Sequence, residues 1–122
     1  MKIQESAENY LETILMIKER KDIVRSIDIV RELNFSKPSV SVAMKNLKEA
    51  GFITMDETGR IELTGEGEKI ATKIYDRHVK VTAWLTSLGV PHDIAEADAC
   101  RMEHVISEET FAAFMHLAEK SL

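Results

Sequence analysis

The stretch that decides the fold runs from Asn34 to Leu63: NFSKPSVSVAMKNLKEAGFITMDETGRIEL. Its period changes once. Val40, Met44 and Leu47 recur at spacings of four and three, the repeat of one helix face. Ser36 suits an N-cap, and Pro38 falls in the first turn, where its missing N–H costs nothing. Gly51 suits the left-handed position just past a helix end. After Gly51 the pattern reads as two short strands around a Glu57-Thr58-Gly59-Arg60 turn.

Working outward, apolar spacing predicts a first helix from a Ser6 cap to about Arg20, with Tyr10, Leu11, Ile14, Leu15 and Ile17 apolar. A short second helix runs from a Ser26 cap to Leu33, with Ile27, Val30 and Leu33 inward. Beyond the hairpin, Thr64-Gly-Glu-Gly opens a long helix over about 66–88. Gly89 ends it, Pro91 begins a fifth helix over 93–106, and Ser107 caps a sixth. A helix, a helix-turn-helix pair and a ribbon in that order make a winged helix-turn-helix. The expected fold is mainly α, with that unit over residues 1–64 and a helical domain over 65–122.

Composition limits the function classes. The chain has 122 residues, 44% hydrophobic and 30% charged, enough apolar content for a core and too little length for more than two small units. One cysteine rules out an internal disulfide framework. No stretch approaches the roughly 18 apolar residues of a membrane span, and the N-terminus MKIQESAENY turns polar at once, so a cytoplasmic protein is expected. The net charge is -5, which excludes a uniformly basic DNA-coating protein. Residues 1–64 carry ten Lys/Arg against eleven Asp/Glu, and residues 65–122 six against ten, so the acidic excess lies in the second half.

A local basic face remains. The helix after Ser36 carries Lys37, Lys45 and Lys48 against Glu49 alone. Its start offers Ser36, Lys37, Pro38, Ser39 and Ser41, and hydroxyls with free amides at a helix N-terminus suit phosphate oxygens. Arg60 at the hairpin tip is placed to reach the adjacent DNA backbone or minor groove. A serine-lysine helix taken alone is more often merely capped and solvated, and the whole helix and ribbon order is what favours DNA.

The second cluster is AEADACRMEHVI. Cys100, Glu103 and His104 stand at i, i+3 and i+4 and share one helix face. A thiolate, a carboxylate and an imidazole suit a first-row transition metal better than Mg²⁺ or Ca²⁺. Further donors must come from elsewhere: His78 on the long helix, Glu12 and Asn9 on the first, and Glu96 one turn back. His92 and His116 have no such partners. Taken singly, each of these residues is more often structural; the matched spacing brings the two readings level. A metalloenzyme would also need a nucleophile–base pair, and the sequence offers none.

With these residues in hand, the chain resembles the diphtheria toxin repressor and manganese transport regulator family over nearly its whole length. SAENYLETI, FSKPSVSVAMKNLKEAGFI, ELTGEGEKIA, YDRHVKVTAWLTSLGV and EADACRMEHVISEE carry the resemblance. The Cys-Arg-Met-Glu-His run resembles the iron-responsive branch, because the manganese branch usually has Glu at the position of Cys100. The resemblance implies a repressor: a homodimer that, loaded with divalent metal, binds palindromic double-stranded operator DNA and controls metal uptake genes. Residues 65–122 would be the dimerisation and metal-binding region. Cys100, Glu103 and His104 match the primary ligands, His78 the histidine of the long helix, and Glu12 a carboxylate ligand of the manganese branch. Ser36, Pro38 and Val42 match base-edge positions, and Ser26, Ser39 and Ser41 match phosphate contacts. The thiolate puts Fe²⁺ first, with Mn²⁺ and Zn²⁺ as alternatives.

The departures are specific. Asn9 stands where the branches have Met or Asp, Thr82 where an ancillary carboxylate belongs, Glu96 where a histidine belongs, and Val42 where a polar base reader is usual. The chain is expected to lack the SH3-like third domain that some relatives carry. Two non-regulatory-metal readings stand beside the resemblance: a metal-independent winged-helix regulator and a pure dimerisation module. For the dimer itself, Tyr75, Val79, Val81, Trp84, Leu85 and Leu88 offer more apolar surface than one small helical unit covers.

Overall fold

A computed structural model describes residues 5–121. Their order is α1 (Glu5–Lys21), α2 (Ser26–Leu33), α3 (Lys37–Glu49), β1 (Ile53–Met55), β2 (Ile61–Leu63), α4 (Gly65–Ser87), α5 (His92–Val105) and α6 (Glu108–Ser121). The chain forms two compact units, the first running through Thr72 and the second from Lys73, so the division falls within α4.

In the first unit the caps place α3. Ser36 Oγ accepts the Ser39 N–H at 3.2 Å, Pro38 lies in the first turn, and Gly51 takes φ 84 just beyond the helix end. Val40, Met44 and Leu47 are buried against Leu11, Ile14 and Ile17 of α1 and Ile29 of α2 in one core cluster. That core fixes which face of α3 remains outside.

The sequence expectation needs three corrections here. Helix α1 is already helical at Glu5, so Ser6 lies inside its first turn and does not cap it. Helix α2 starts at Ser26, with Arg25 as N-cap, because the Asp28 carboxylate reaches back to accept the Arg25 N–H at 2.9 Å. Burial pushes the Asp28 carboxyl up; the Lys21 hydrogen bond, the Arg25 amide and the charges of Lys21 and Arg31 outweigh it and leave Asp28 below the ordinary carboxylate range. The inward residue of α2 is Ile29, fully buried, while Ile27 is exposed.

The hairpin pairs β1 and β2 antiparallel, with Thr54 opposite Glu62. Its turn is organised by Asp56, whose Oδ1 accepts from Thr58 N, Thr58 Oγ1 and Arg60 N at 2.9, 2.7 and 3.0 Å. The Thr58 hydroxyl first, then the Arg60 amide, hold this carboxyl below the ordinary range. Val24, between α1 and α2, bridges to Ile61 and accepts its N–H at 2.7 Å, which anchors the ribbon to the helices. Thr64 then starts α4: its Oγ1 accepts from Gly67 N and donates to Gly51 O. A Cβ on Gly67 would sit 2.0 Å from the Phe52 carbonyl oxygen, so any side chain there would force the helix start or the Phe52 backbone to shift.

In the second unit Trp84 of α4 packs on Phe114 of α6 with ring centroids 5.1 Å apart. The buried residues of α5 are Ala95, Ala99 and Glu103, one face at successive spacings of four. Ser107 caps α6 by accepting the Thr110 N–H at 3.1 Å. Of the expected partner stripe, Val79 and Leu88 are exposed, Tyr75, Trp84 and Leu85 are half-buried, and Val81 is fully buried and belongs to the interior. Among the described residues no helix is long and apolar enough to cross a membrane.

Candidate metal centre and nucleic-acid interface

The last turns of α5 bring Cys100, Glu103 and His104 together: one ligand atom from each lies within 4.8 Å of the others. Glu103 is completely buried, only 4% of the His104 side chain is exposed, and Cys100 is half-buried. Helix α4 adds His78, whose Nδ1 lies 3.3 Å from Glu103 Oε2. The other oxygen of Glu103 lies 3.4 Å from His104 Nε2. Both carboxylate oxygens therefore face an imidazole nitrogen. The Glu103–His104 separation falls in the range of donor-to-donor edges of a coordination shell, about 3.0–3.5 Å for ligands roughly 2.1 Å from one ion, and His78 stands beside that pair. Thiolate, carboxylate and imidazole are a donor set for a borderline transition metal, so the residues fit such an ion.

The remaining sequence candidates are spread more widely. Glu96 is half-exposed at the rim, one oxygen 3.8 Å from His78 Nε2 and the other 3.8 Å from His92 Nδ1. His92, read as partnerless, thus has an acidic neighbour one helical turn away. Thr82, one turn past His78, is buried and brings a hydroxyl where a carboxylate ligand would be needed. Glu12 and Asn9 belong to α1 in the first unit, where Glu12 is buried and Asn9 half-buried.

Sequence reasoning missed Arg77. It is buried, its Nη1 donates to the Glu103 carbonyl oxygen at 3.1 Å, and its guanidinium lies 4.6 Å over the Phe111 ring. Its neighbour His78 was singled out as a donor, but nothing in the spacing marks an arginine whose acceptor is a main-chain atom.

In the first unit the outward face of α3 carries Lys37, Pro38, Ser39, Ser41, Val42 and Lys45, all exposed, with Val42 at 60%. Ser36 is occupied in capping: besides accepting the Ser39 amide, its hydroxyl donates to Ser39 Oγ at 2.8 Å. That leaves the Ser39 hydroxyl proton to donate outward. Ser26 is half-buried at the first position of α2. Arg60 stands beside the hairpin turn, and its Nη2 pairs with Glu62 at 3.2 Å, which offsets part of its charge. Arg25 was also missed: its Nε donates to Thr58 O at 3.3 Å and ties the start of α2 to the ribbon turn.

Comparison with known proteins bears on both units. The N-terminal DNA binding domain of iron dependent repressors matches residues 2–59, and their metal binding and dimerisation domain matches residues 64–120. The transcriptional regulator MntR of Escherichia coli O6:H1 is 37% identical over 117 residues, covering 96% of this chain and 76% of that protein. An HTH-type transcriptional regulator of Methanocaldococcus jannaschii is 31% identical over 120 residues, covering 97% and 96%. The crystal structure of T. acidophilum IdeR matches with a TM-score of 0.78 at 25% identity, covering 95% of this chain and 54% of that one. The chain thus spans about half the length of that solved relative. With a DNA-reading unit, a ligand cluster and relatives above 30% identity along nearly its whole length, the chain belongs to the iron-dependent repressor family of metal-dependent transcriptional regulators.

Proposed function

We propose that this chain represses metal uptake genes by binding a palindromic operator as a homodimer, with Fe²⁺ as the first-choice signal and Mn²⁺ and Zn²⁺ as alternatives. The observation that carries the proposal is the convergence of Cys100, Glu103 and His104 on α5 in a chain that also presents an exposed recognition helix. Cys100, Glu103 and His104 would hold the ion, with His78 beside them and Glu96 at the rim. Glu12 and Asn9 of α1 complete the proposed donor set: a carboxylate and a neutral carbonyl oxygen. A bound divalent cation supplies positive charge that draws anionic donors of separate helices to one point.

The chain's own residues do the rest. Ser39, Ser41, Lys37 and Lys45, with Ser26 at the start of α2, contact phosphates. Ser36, Pro38 and Val42 approach base edges, and Arg60 reaches backbone or minor groove beside the ribbon. An ion that drew donors from both α1 and α5 would couple metal binding to DNA binding, with the DNA-competent dimer the minor state until metal binds. A coupling of about 1–3 kcal/mol, or 5- to 150-fold in affinity, is the usual size of such a switch. The dimer reading is supported by Val79, Leu88, Ile94 and Val105, large apolar side chains exposed on the second unit. A regulator of this kind works where its operator is, in the cytoplasm.

The test is an anaerobic DNA-binding titration on a selected palindromic operator with apo protein, then with Fe²⁺, Mn²⁺ and Zn²⁺ in turn. Stimulation by Fe²⁺ that disappears in Cys100→Ala and His104→Ala is the expected result. Stimulation by Mn²⁺ alone would assign the site to Glu12, His78 and Glu103. Equal binding with and without every metal would refute metal control.

A further inference from the structure

We infer that Arg77 is a positioning residue for the metal centre: it pins the C-terminal turn of α5 and so holds Glu103 and His104 in place for a metal ion. The inference rests on the reading of Cys100, Glu103 and His104 as metal ligands.

The starting point is the end of a helix. The last four carbonyls of an α-helix have no intrahelical donor. Helix α5 ends at Val105, and the two ligands Glu103 and His104 lie in that final turn. Ile106 N–H serves the Met102 carbonyl at 3.2 Å. The next carbonyl, that of Glu103, is served by Arg77 Nη1 at 3.1 Å. A long cationic side chain meeting the negative end of a helix is favourable in itself.

Three further features make this more than a cap. First, Arg77 and His78 are consecutive on α4 and reach the same residue, His78 the carboxylate of Glu103 and Arg77 its carbonyl. Glu103 is thereby held at both ends, which restricts where its carboxylate can point. Second, Arg77 is only 7% exposed. Burying a permanent charge is costly, and a lysine at an exposed site would cap a helix more cheaply. Third, the planar guanidinium lies over the Phe111 ring of α6 at 4.6 Å, so one side chain joins α4, α5 and α6 at the ligand turn. Groups that orient ligands from behind are worth about 10- to 100-fold in metal affinity.

The test is an anaerobic Co²⁺ titration of the full chain, read by the thiolate-to-cobalt charge-transfer band and the cobalt d–d bands. Arg77→Met, Arg77→Lys and Phe111→Leu are compared with wild type, and circular dichroism and urea midpoints of the apo proteins serve as controls. Arg77→Met is expected to bind Co²⁺ about 10- to 100-fold more weakly and, at saturation, to show altered d–d bands with the thiolate band retained. Arg77→Lys should fall between, and Phe111→Leu should shift in the same direction by less. Wild-type affinity and spectrum in Arg77→Met would overturn the inference. So would a loss of affinity that tracks the urea midpoint while the saturated spectrum stays unchanged, the mark of a purely structural role. Should Arg77→Met fail to fold, Arg77→Lys and Phe111→Leu decide by the same criteria. A wild-type protein with no thiolate band would instead refute the metal-ligand reading of Cys100, and the inference with it.

Discussion

Glu103→Gln separates the two demands made on this residue. The side chain is completely buried, with one oxygen 3.3 Å from His78 Nδ1 and the other 3.4 Å from His104 Nε2. Gln keeps the shape and removes the charge. In the apo protein the loss of attraction to the imidazoles is offset by relief from burying a carboxylate. The amide offers one acceptor and one donor to the two imidazoles, so the exchange leaves no buried polar group stranded. Apo stability should therefore change by no more than about 1 kcal/mol, or roughly 4 °C in Tm. Metal reverses the comparison. At a free metal concentration of about 100 times Kd, wild type gains about 2.7 kcal/mol, which is roughly 10 °C for a chain of this size. The variant loses its buried anionic donor, and its gain should drop below about 2 °C. The assay is thermal unfolding by circular dichroism, apo and with Co²⁺ or Mn²⁺, at matched free metal. A wild-type metal shift in Glu103→Gln would remove Glu103 from the ligand set. A fall of several kcal/mol in apo stability would make it a structural residue, and the cost argument would fail.

Other outcomes follow from the first unit. Gly67→Ala should lower the urea midpoint by about 2–3 kcal/mol of stability, because its Cβ would meet the Phe52 carbonyl oxygen at 2.0 Å; an unchanged midpoint would mean that the helix start shifts freely. Asp28→Asn should cost about 1 kcal/mol at neutral pH by weakening the start of α2. The folded-state pKa of Asp28 is depressed, so its stabilisation is complete above the unfolded-state value and lost as pH falls through the folded one. Wild-type and variant midpoints should thus converge in acid, and a gap independent of pH would refute the assignment. Val42→Ala should leave metal-stimulated binding in place and abolish the penalty for replacing one operator thymine by uracil, roughly fourfold per half-site for a buried methyl. An equal penalty in both proteins would show that Val42 does not touch that methyl.

What was legible in the sequence was local. Ser36, Pro38 and Gly51 bound α3 through contacts within a few residues, and the structure follows them closely. The wing turn was visible for the same reason, since Asp56 satisfies amides only two and four residues away. Helix α2 shows where locality fails. Ile27, Ile29, Val30 and Leu33 offer two apolar faces on eight residues, and only the packing of α1 and α3 selects the face led by Ile29. The Val24–Ile61 bridge links residues far apart in the chain, and no window of sequence contains both.

The ligand cluster divides along the same line and adds a reason to read it as functional. Cys100, Glu103 and His104 were visible because a helix converts i, i+3 and i+4 into one face without help from the rest of the fold. His78 became a neighbour only through the packing of α4 on α5, and Arg77 stayed hidden because its acceptor is a carbonyl that every residue possesses. Ala95, Ala99 and Glu103 form the buried face of α5, two small apolar residues followed by an acid. A sequence shaped for stability alone would fill the whole cluster with apolar residues, since a well-packed apolar set often equals or exceeds a buried ion pair in stability. An acid retained there, faced by two imidazoles and backed by a buried arginine, would cost folding free energy that metal binding at the proposed site would return. On this argument replacing Glu103, His78 and His104 together by leucine should make the apo protein at least as stable as wild type while eliminating its response to metal, a combination that a structural role for the cluster cannot produce.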